Sequence, residues 1–122
     1  MILADTSIWV DHFRSGDDEL RTHLMQNDIA IHPFVIGELA LGSLPDRVRT
    51  LGYLQRLPCL KVAQMEEIMH MVEARALYRR VIGLTDAHLI GSIFIHPPAK
   101  LWTRDKRLRI VAEELGIHAN LL

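Results

Sequence analysis

The chain has 122 residues and a formal charge of −1, from 14 lysines and arginines against 15 aspartates and glutamates. This near-balance excludes a uniformly basic surface that would hold nucleic acid by charge alone. An apolar content of 49% predicts one folded domain over residues 1–122, with enough apolar side chains for a core. A lone cysteine, Cys59, excludes an internal disulfide and is compatible with a reducing cytoplasm.

The sequence also argues against insertion into a membrane. No stretch reaches the roughly 18 consecutive apolar residues that a spanning helix needs. Residues 1–5 lack the basic start of a signal peptide. We therefore expect a cytoplasmic protein with no membrane partner.

In the first half of the chain, short apolar runs alternate with helical patterns. Residues 2–4 and 29–31 are predicted strands. Thr6 or Ser7 is the predicted cap of the first helix. The predicted helices of this half cover residues 8–13, 17–26, 33–42 and 46–57.

The second half continues this alternation. Predicted strands cover residues 60–62, 101–103 and 117–122, and predicted helices cover 65–81, 86–95 and 106–115, with Gly83 following the first of these helices. Strands alternating with helices predict an α/β fold, a short parallel sheet of about four to five strands covered by helices on both faces. In such sheets ligands bind beyond the carboxyl ends of the strands, where strand order reverses.

One carboxylate lies within an apolar run. If residues 33–42 are helical, the neighbours of Glu38 on its face are Phe34, Val35 and Leu41. A lone buried carboxylate costs several kcal/mol even after relaxation. We therefore expect Glu38 to be buried and to be paired, protonated or bound to a cation.

Three more acids occupy positions next to predicted strand and helix ends. Asp5 and Asp105 follow predicted strands, and Asp86 opens a predicted helix. Each of them alone is equally well explained as a helix cap or first-turn acid. If all four acids meet, each pair at ~4 Å costs roughly 4 kcal/mol at an effective dielectric of ~20, so the cluster must protonate or bind cations. Such oxygen ligands suit Mg²⁺ or Mn²⁺, which can activate water for phosphoryl displacement.

The order and spacing of these acids resemble the PIN domain over the whole chain. The motifs that carry the resemblance are Asp5-Thr6-Ser7 after the first strand, Glu38 within a helix, the run 86–91 that opens a later helix, and Thr103-Arg104-Asp105 after a strand. Within that family, the length and residues 1–9 resemble the VapC toxins of bacterial VapBC toxin–antitoxin pairs.

The resemblance implies an activity and partners. It implies a Mg²⁺- or Mn²⁺-dependent endoribonuclease that cleaves RNA phosphodiester bonds as the toxin of a type II toxin–antitoxin pair. It further implies a homodimer that is inhibited by a cognate VapB-type antitoxin. The implied catalytic residues are Asp5, Glu38, Asp86 and Asp105, of which Asp5, Asp86 and Asp105 hold metal, with Thr6 and Thr103 as supporting hydroxyls.

One position departs from the family pattern. Many PIN domains carry an acid or amide two residues after the last aspartate, where this chain has Arg107. The number of metal ions therefore stays open. Arg104, Lys106 and Arg107 border Asp105 and are candidate contacts to RNA phosphates.

Several alternatives remain open. The acids could form a pocket of a non-catalytic binding module that receives a basic partner segment. A DNA-cutting PIN nuclease is a close variant, while a receiver-like phosphoacceptor domain is disfavoured because Asp5 stands alone and Lys100 precedes the last inner strand. Zinc is disfavoured because no two of the seven histidines are four residues apart. The apolar residues of helices 33–42 and 46–57 suit a dimer face, an antitoxin face or the core.

Overall fold

The structure is a computed structural model that describes residues 1–122. Three strands, β1 (Ile2–Ala4), β2 (Ile29–Ala30) and β3 (Lys100–Trp102), form a parallel sheet in the order β2–β1–β3. This confirms the predicted α/β fold. The seven helices are α1 (Thr6–Ser15), α2 (Asp18–Met25), α3 (Pro33–Ala40), α4 (Arg47–Gln55), α5 (Met65–Ala74), α6 (Leu84–Phe94) and α7 (Lys106–Glu114).

The sheet has fewer strands than the four to five predicted. The strands predicted over 60–62 and 117–122 are replaced by single bridges: Cys59, just before the first range, pairs with Ile31, and His118 pairs with Leu101. Pro58 directly precedes the first bridge and has no N–H group, so it cannot extend the ladder as a donor. Both segments lie at the edges of the sheet, as was expected for the second, and each is too short to count as a strand.

The end of α5 differs most from its prediction. The helix was expected to reach residue 81, with Gly83 directly after it, but it ends at Ala74. Ala76 takes the left-handed conformation at φ 51°, and the next N–H group, of Leu77, bonds to the carbonyl of Val72 at 2.9 Å. This is the Schellman arrangement that ends many helices. Burial of Leu77 fixes the turn, and Gly83 is instead the N-cap of α6.

Two aspartates begin helices shortly after neighbouring strands, Asp5 directly after β1 and Asp105 three residues after the end of β3. Asp5, and neither Thr6 nor Ser7, is the N-cap of α1, and Asp105 is the N-cap of α7. The strands β1 and β3 are adjacent, and the N–H group of Asp5 bonds to the carbonyl of Trp102 at 3.0 Å. The chain leaves β1 toward β2 but leaves β3 toward the opposite edge. The two caps therefore lie at the point where strand order reverses, where ligands bind in open α/β sheets.

A core of 23 buried apolar side chains surrounds the sheet. Its largest members are Trp9 on α1 and Trp102 on β3, both almost completely buried. In α6, every residue from 87 to 93 is buried. That burial fixes α6 in place, and with it Asp86 in the first turn. None of the helices combines the length and apolar character required to span a membrane.

Candidate active site

The four acids singled out in the sequence line one cavity. It has a volume of about 350 Å³ and lies beyond the carboxyl ends of β1 and β3. No lysine, arginine or histidine lines it, so nothing basic offsets the carboxylates. A larger cavity of about 500 Å³ between α5 and α6 contains none of the four acids. The lining residues of the smaller cavity are Asp5, Thr6, Ser7, Glu38, Asp86, Leu89 and Asp105.

Asp5 is the most deeply held of the acids, with only 5% of its surface exposed. Its Oδ1 accepts hydrogen bonds from the backbone N–H groups of Ser7 (3.0 Å) and Ile8 (3.4 Å) and from the Ser7 hydroxyl (2.5 Å). Its Oδ2 accepts one from the Thr103 hydroxyl. Burial raises the pKa of Asp5, while these hydrogen bonds work in the opposite direction. The network therefore offsets part of the cost of burying the charge.

Thr103 joins two of the acids. Its hydroxyl donates to Asp5 and accepts a hydrogen bond from the N–H group of Asp105 at 3.0 Å. Oδ1 of Asp105 accepts from the N–H group of Leu108 at 3.0 Å, which caps α7, and the side chain is otherwise exposed. Capping and lining the cavity are therefore compatible roles for this aspartate.

Glu38 corrects an expectation from the sequence. It was expected to be buried, but it lies on the exposed side of α3, where Val35 and Leu39 face the core. Leu41, expected to share an apolar face with it, is 91% exposed. The buried face of α3 is thus narrower than the apolar run predicts. Oε1 of Glu38 accepts a hydrogen bond from the Thr6 hydroxyl at 2.5 Å, which holds the carboxylate at the cavity.

Asp86 shows that the four charges interact. Its Oδ2 accepts a hydrogen bond from the N–H group of Gly83 at 3.3 Å, and its side chain is half-buried. Burial is the main cause that raises the pKa of Asp86, and the negative charges of Asp105, Asp5 and Glu38 raise it further. Carboxylates that disfavour one another's ionisation in this way favour a cation among them.

The donor set fits a hard divalent cation in its chemistry. Every ligand atom on offer is oxygen, as Mg²⁺ and Mn²⁺ prefer. Both oxygens of Asp5 accept from protein donors, whereas Glu38, Asp86 and Asp105 each have one oxygen with a protein donor and one without. No three histidine, cysteine, aspartate or glutamate side chains are close enough to hold an ion as they stand. Without a cation the carboxylates repel one another, which favours this separation. To share a cation, these side chains have to move closer to it.

The predicted basic contacts do not line the cavity. Arg104 is engaged in ion pairs with Asp11 (2.8 Å) and Asp17 (2.6 Å), and its Nε donates to the carbonyl of Leu122 at 2.6 Å. With its donors used in this way, a contact from Arg104 to RNA is not favoured. Lys106 and Arg107 are exposed in the first turn of α7 and make no ion pair, so their predicted role stays a prediction.

Sequence reasoning treated Ser7 only as a cap and missed Arg14. The Ser7 hydroxyl donates to Asp5 and accepts from the N–H group of Arg104 at 3.0 Å, so it ties α1 to the segment after β3. No local pattern reveals a partner 97 residues away. Arg14 lines an adjoining groove, and its helical spacing from Thr6 was a usable signal.

The family model of the PIN domain matches residues 2–114. The chain belongs to the PIN domain family, as the sequence motifs predicted. It is also similar to Ribonuclease VapC32 of Mycobacterium tuberculosis, in strain CDC 1551 / Oshkosh and in strain ATCC 25618 / H37Rv. In both comparisons the identity is 42% over 117 residues, which covers 96% of this chain and 94% of the relative.

Proposed function

We propose that the chain is a Mg²⁺- or Mn²⁺-dependent endoribonuclease that hydrolyses RNA phosphodiester bonds, with residues 1–122 forming one nuclease domain. The observation that carries this proposal is the cavity in which carboxylates from four separate chain segments meet with no basic side chain. Membership of the PIN domain family and the similarity to relatives named as ribonucleases support it. The similarity to VapC32 further supports a role as the toxin of a type II toxin–antitoxin pair.

The charge of the cavity supports the proposed cation. A phosphodiester is itself negative, and it cannot approach four carboxylates at low cost unless positive charge lies between them. When bound, Mg²⁺ or Mn²⁺ lowers the pKa of a water molecule and neutralises charge on the phosphate oxygens. The same feature that suggests the site therefore supports metal dependence.

The protein groups have distinct roles in this proposal. Asp5, Asp86 and Asp105 hold the cation, and Glu38 completes the site directly or through water. Hydrogen bonds from Ser7 and Thr103 fix the orientation of the Asp5 carboxylate. Those two hydroxyls touch Asp5 and not the substrate, so they are positioning residues.

The direct test is cleavage of total cellular RNA by the purified chain in Mg²⁺, in Mn²⁺ and in chelator, beside the Asp86→Asn variant. We expect fragments that require metal and that disappear with Asp86→Asn. Asp18→Asn is the matched control, because Asp18 is a first-turn acid whose side chain is 98% exposed. It should cleave like the wild type.

The opposite outcome would favour the second function considered. If no condition yields fragments, and divalent metal does not raise the melting temperature, the acids do not form a metal site. The cavity would then be better explained as a pocket for a basic segment of a partner protein.

Exposed apolar side chains support the proposed protein partners. Leu41 and Val48 are 91% and 87% exposed, so they do not belong to the core. Met65 and Met69 on α5 are also about half exposed. We propose that a VapB-type antitoxin covers the first pair and that a homodimer uses α5. Sedimentation of the wild type and of Met69→Glu tests the dimer, and co-purification of an antitoxin with Leu41→Glu tests the other face.

A further inference from the structure

A groove adjoins the acid cavity on the side of Glu38. It has a volume of about 350 Å³ and lies between α1, α3 and the loop at residues 42–45. Thr6 and Glu38 line both the groove and the cavity, and the two adjoining spaces together are called the cleft. The hydrogen bond from the Thr6 hydroxyl to Glu38 lies where they adjoin, so a chain bound at the acids passes over this contact to reach the groove.

One face of α1 forms a wall of this groove. Thr6, Val10, Phe13 and Arg14 are spaced at i, i+4, i+7 and i+8, which places them along one side of the helix. The Phe13 ring stacks on Trp9, with centroids 5.8 Å apart, and Trp9 is almost fully buried. The aromatic wall is therefore anchored in the core.

The opposite wall is also held in place. The Arg47 side chain donates to the carbonyl oxygens of Ala40 (2.5 Å) and Gly42 (3.3 Å), which fixes the start of the loop. Leu44 and Pro45 complete the apolar lining. The groove thus offers apolar and aromatic surface, to which a nucleotide base can pack.

Arg14 supplies the positive charge of the cleft. No other lysine or arginine lines either the groove or the acid cavity. Arg14 is exposed and makes no ion pair or hydrogen bond within the chain, in contrast to Arg104, whose donors are occupied. An unpaired guanidinium beside an apolar wall can hold a backbone phosphate while the base packs on the wall.

We propose that this groove holds the RNA nucleotide next to the cleaved bond, with Arg14 as the positioning contact to its phosphate. The inference rests on the proposed ribonuclease function and adds to it the path of the substrate. A protein segment is the alternative occupant. RNA is favoured because the groove adjoins the proposed cleavage site and because its one cation has no partner within the chain.

The test compares Arg14→Gln with Arg56→Gln, a matched control because Arg56 is exposed, unpaired and outside the cleft. The probe is a short fluorescein-labelled single-stranded RNA of mixed sequence. Its binding is measured by anisotropy over a salt series in Mg²⁺, in an Asp86→Asn background that does not cut it. We expect Arg14→Gln to raise the Kd about tenfold. The slope of log K against log salt should fall by about 0.7, the value for one phosphate on a single strand.

Cleavage kinetics provide a second measurement. Arg14→Gln should raise the KM for RNA more than it lowers kcat, and Arg14→Lys should restore most of the salt slope. Unchanged binding and KM in Arg14→Gln, with a wild type that cleaves RNA, would overturn the inference alone. An effect of Arg14→Gln confined to antitoxin binding would overturn it in favour of a protein occupant. A wild type that neither cleaves nor binds RNA would overturn the proposed function as well.

Discussion

The acid cavity has a buried side and an exposed side. On each of them a threonine hydroxyl donates a hydrogen bond to a carboxylate. On the buried side, the Thr103 hydroxyl donates to Asp5, which is 5% exposed and has further donors from α1. On the exposed side, the Thr6 hydroxyl donates to Glu38, which lies at the surface. Asp5 therefore contributes to the stability of the fold as well as to the cavity, whereas Glu38 contributes mainly to the cavity.

The largest expected difference in the free energy of unfolding is between the Asp5→Ala and Glu38→Ala variants. Asp5→Ala removes the cap of α1 and leaves buried hydroxyls without an acceptor, so we expect a loss of about 2–4 kcal/mol in the free energy of unfolding. Glu38→Ala should change it by less than about 0.5 kcal/mol, as is usual for surface positions. Both should abolish RNA cleavage. Urea denaturation measures the first effect, and equal losses in the two variants would remove the distinction between the two sides.

A smaller difference in the free energy of unfolding is expected between variants that remove the Thr103 hydroxyl and the Thr6 hydroxyl. Thr103→Val leaves Oδ2 of Asp5 and the N–H group of Asp105 without their partner, at a cost of about 1–3 kcal/mol. Thr6→Val removes an exposed contact and should cost less than about 0.5 kcal/mol. Thermal melts of both variants, with Thr22→Val on the surface of α2 as the control, test this. A Thr6→Val loss as large as that of Thr103→Val would contradict it.

The smallest expected effect is a dependence of stability on pH that arises from Asp86. Burial and the neighbouring carboxylates raise its pKa in the folded chain above 3.8, the ordinary value for aspartate. The folded state therefore binds the proton more tightly than the unfolded state, and stability falls as the pH rises through the folded pKa. In chelator at neutral pH, Asp86→Asn should melt above the wild type, and the difference should vanish as the pH falls below 3.8. Mg²⁺ should raise the melting temperature of the wild type more than that of the variant. A wild type that melts above Asp86→Asn at neutral pH in chelator would contradict this.

Local sequence patterns were sufficient for the features set by neighbouring residues. The strand before Asp5, the strand predicted over 101–103 and the helix end at Gly116 follow from such patterns, and the structure confirms each to within a residue. The residues alone left open whether the four acids meet. The prediction that they form one site came from their resemblance to the PIN domain.

Features set by distant residues could not be predicted in this way. Arg104 was a candidate RNA contact because it borders Asp105, but its partners Asp11 and Asp17 lie 93 and 87 residues away in the chain. The end of α5 at Ala74 depends on the burial of Leu77, which no helical pattern shows. Likewise, the exposure of Glu38 depends on which side of α3 faces the core.

The link between Thr103 and Asp5 has a consequence for the synthesis of the chain. The two residues are 98 positions apart, and Ser7 meets Arg104 across a similar interval. A growing polypeptide has made most of its length before either contact can form. On the proposed function, an unfinished chain still attached to the ribosome has no assembled cleavage site. On that function, cleavage by a nascent chain requires that residues 103–105 have already folded back onto residues 5–7.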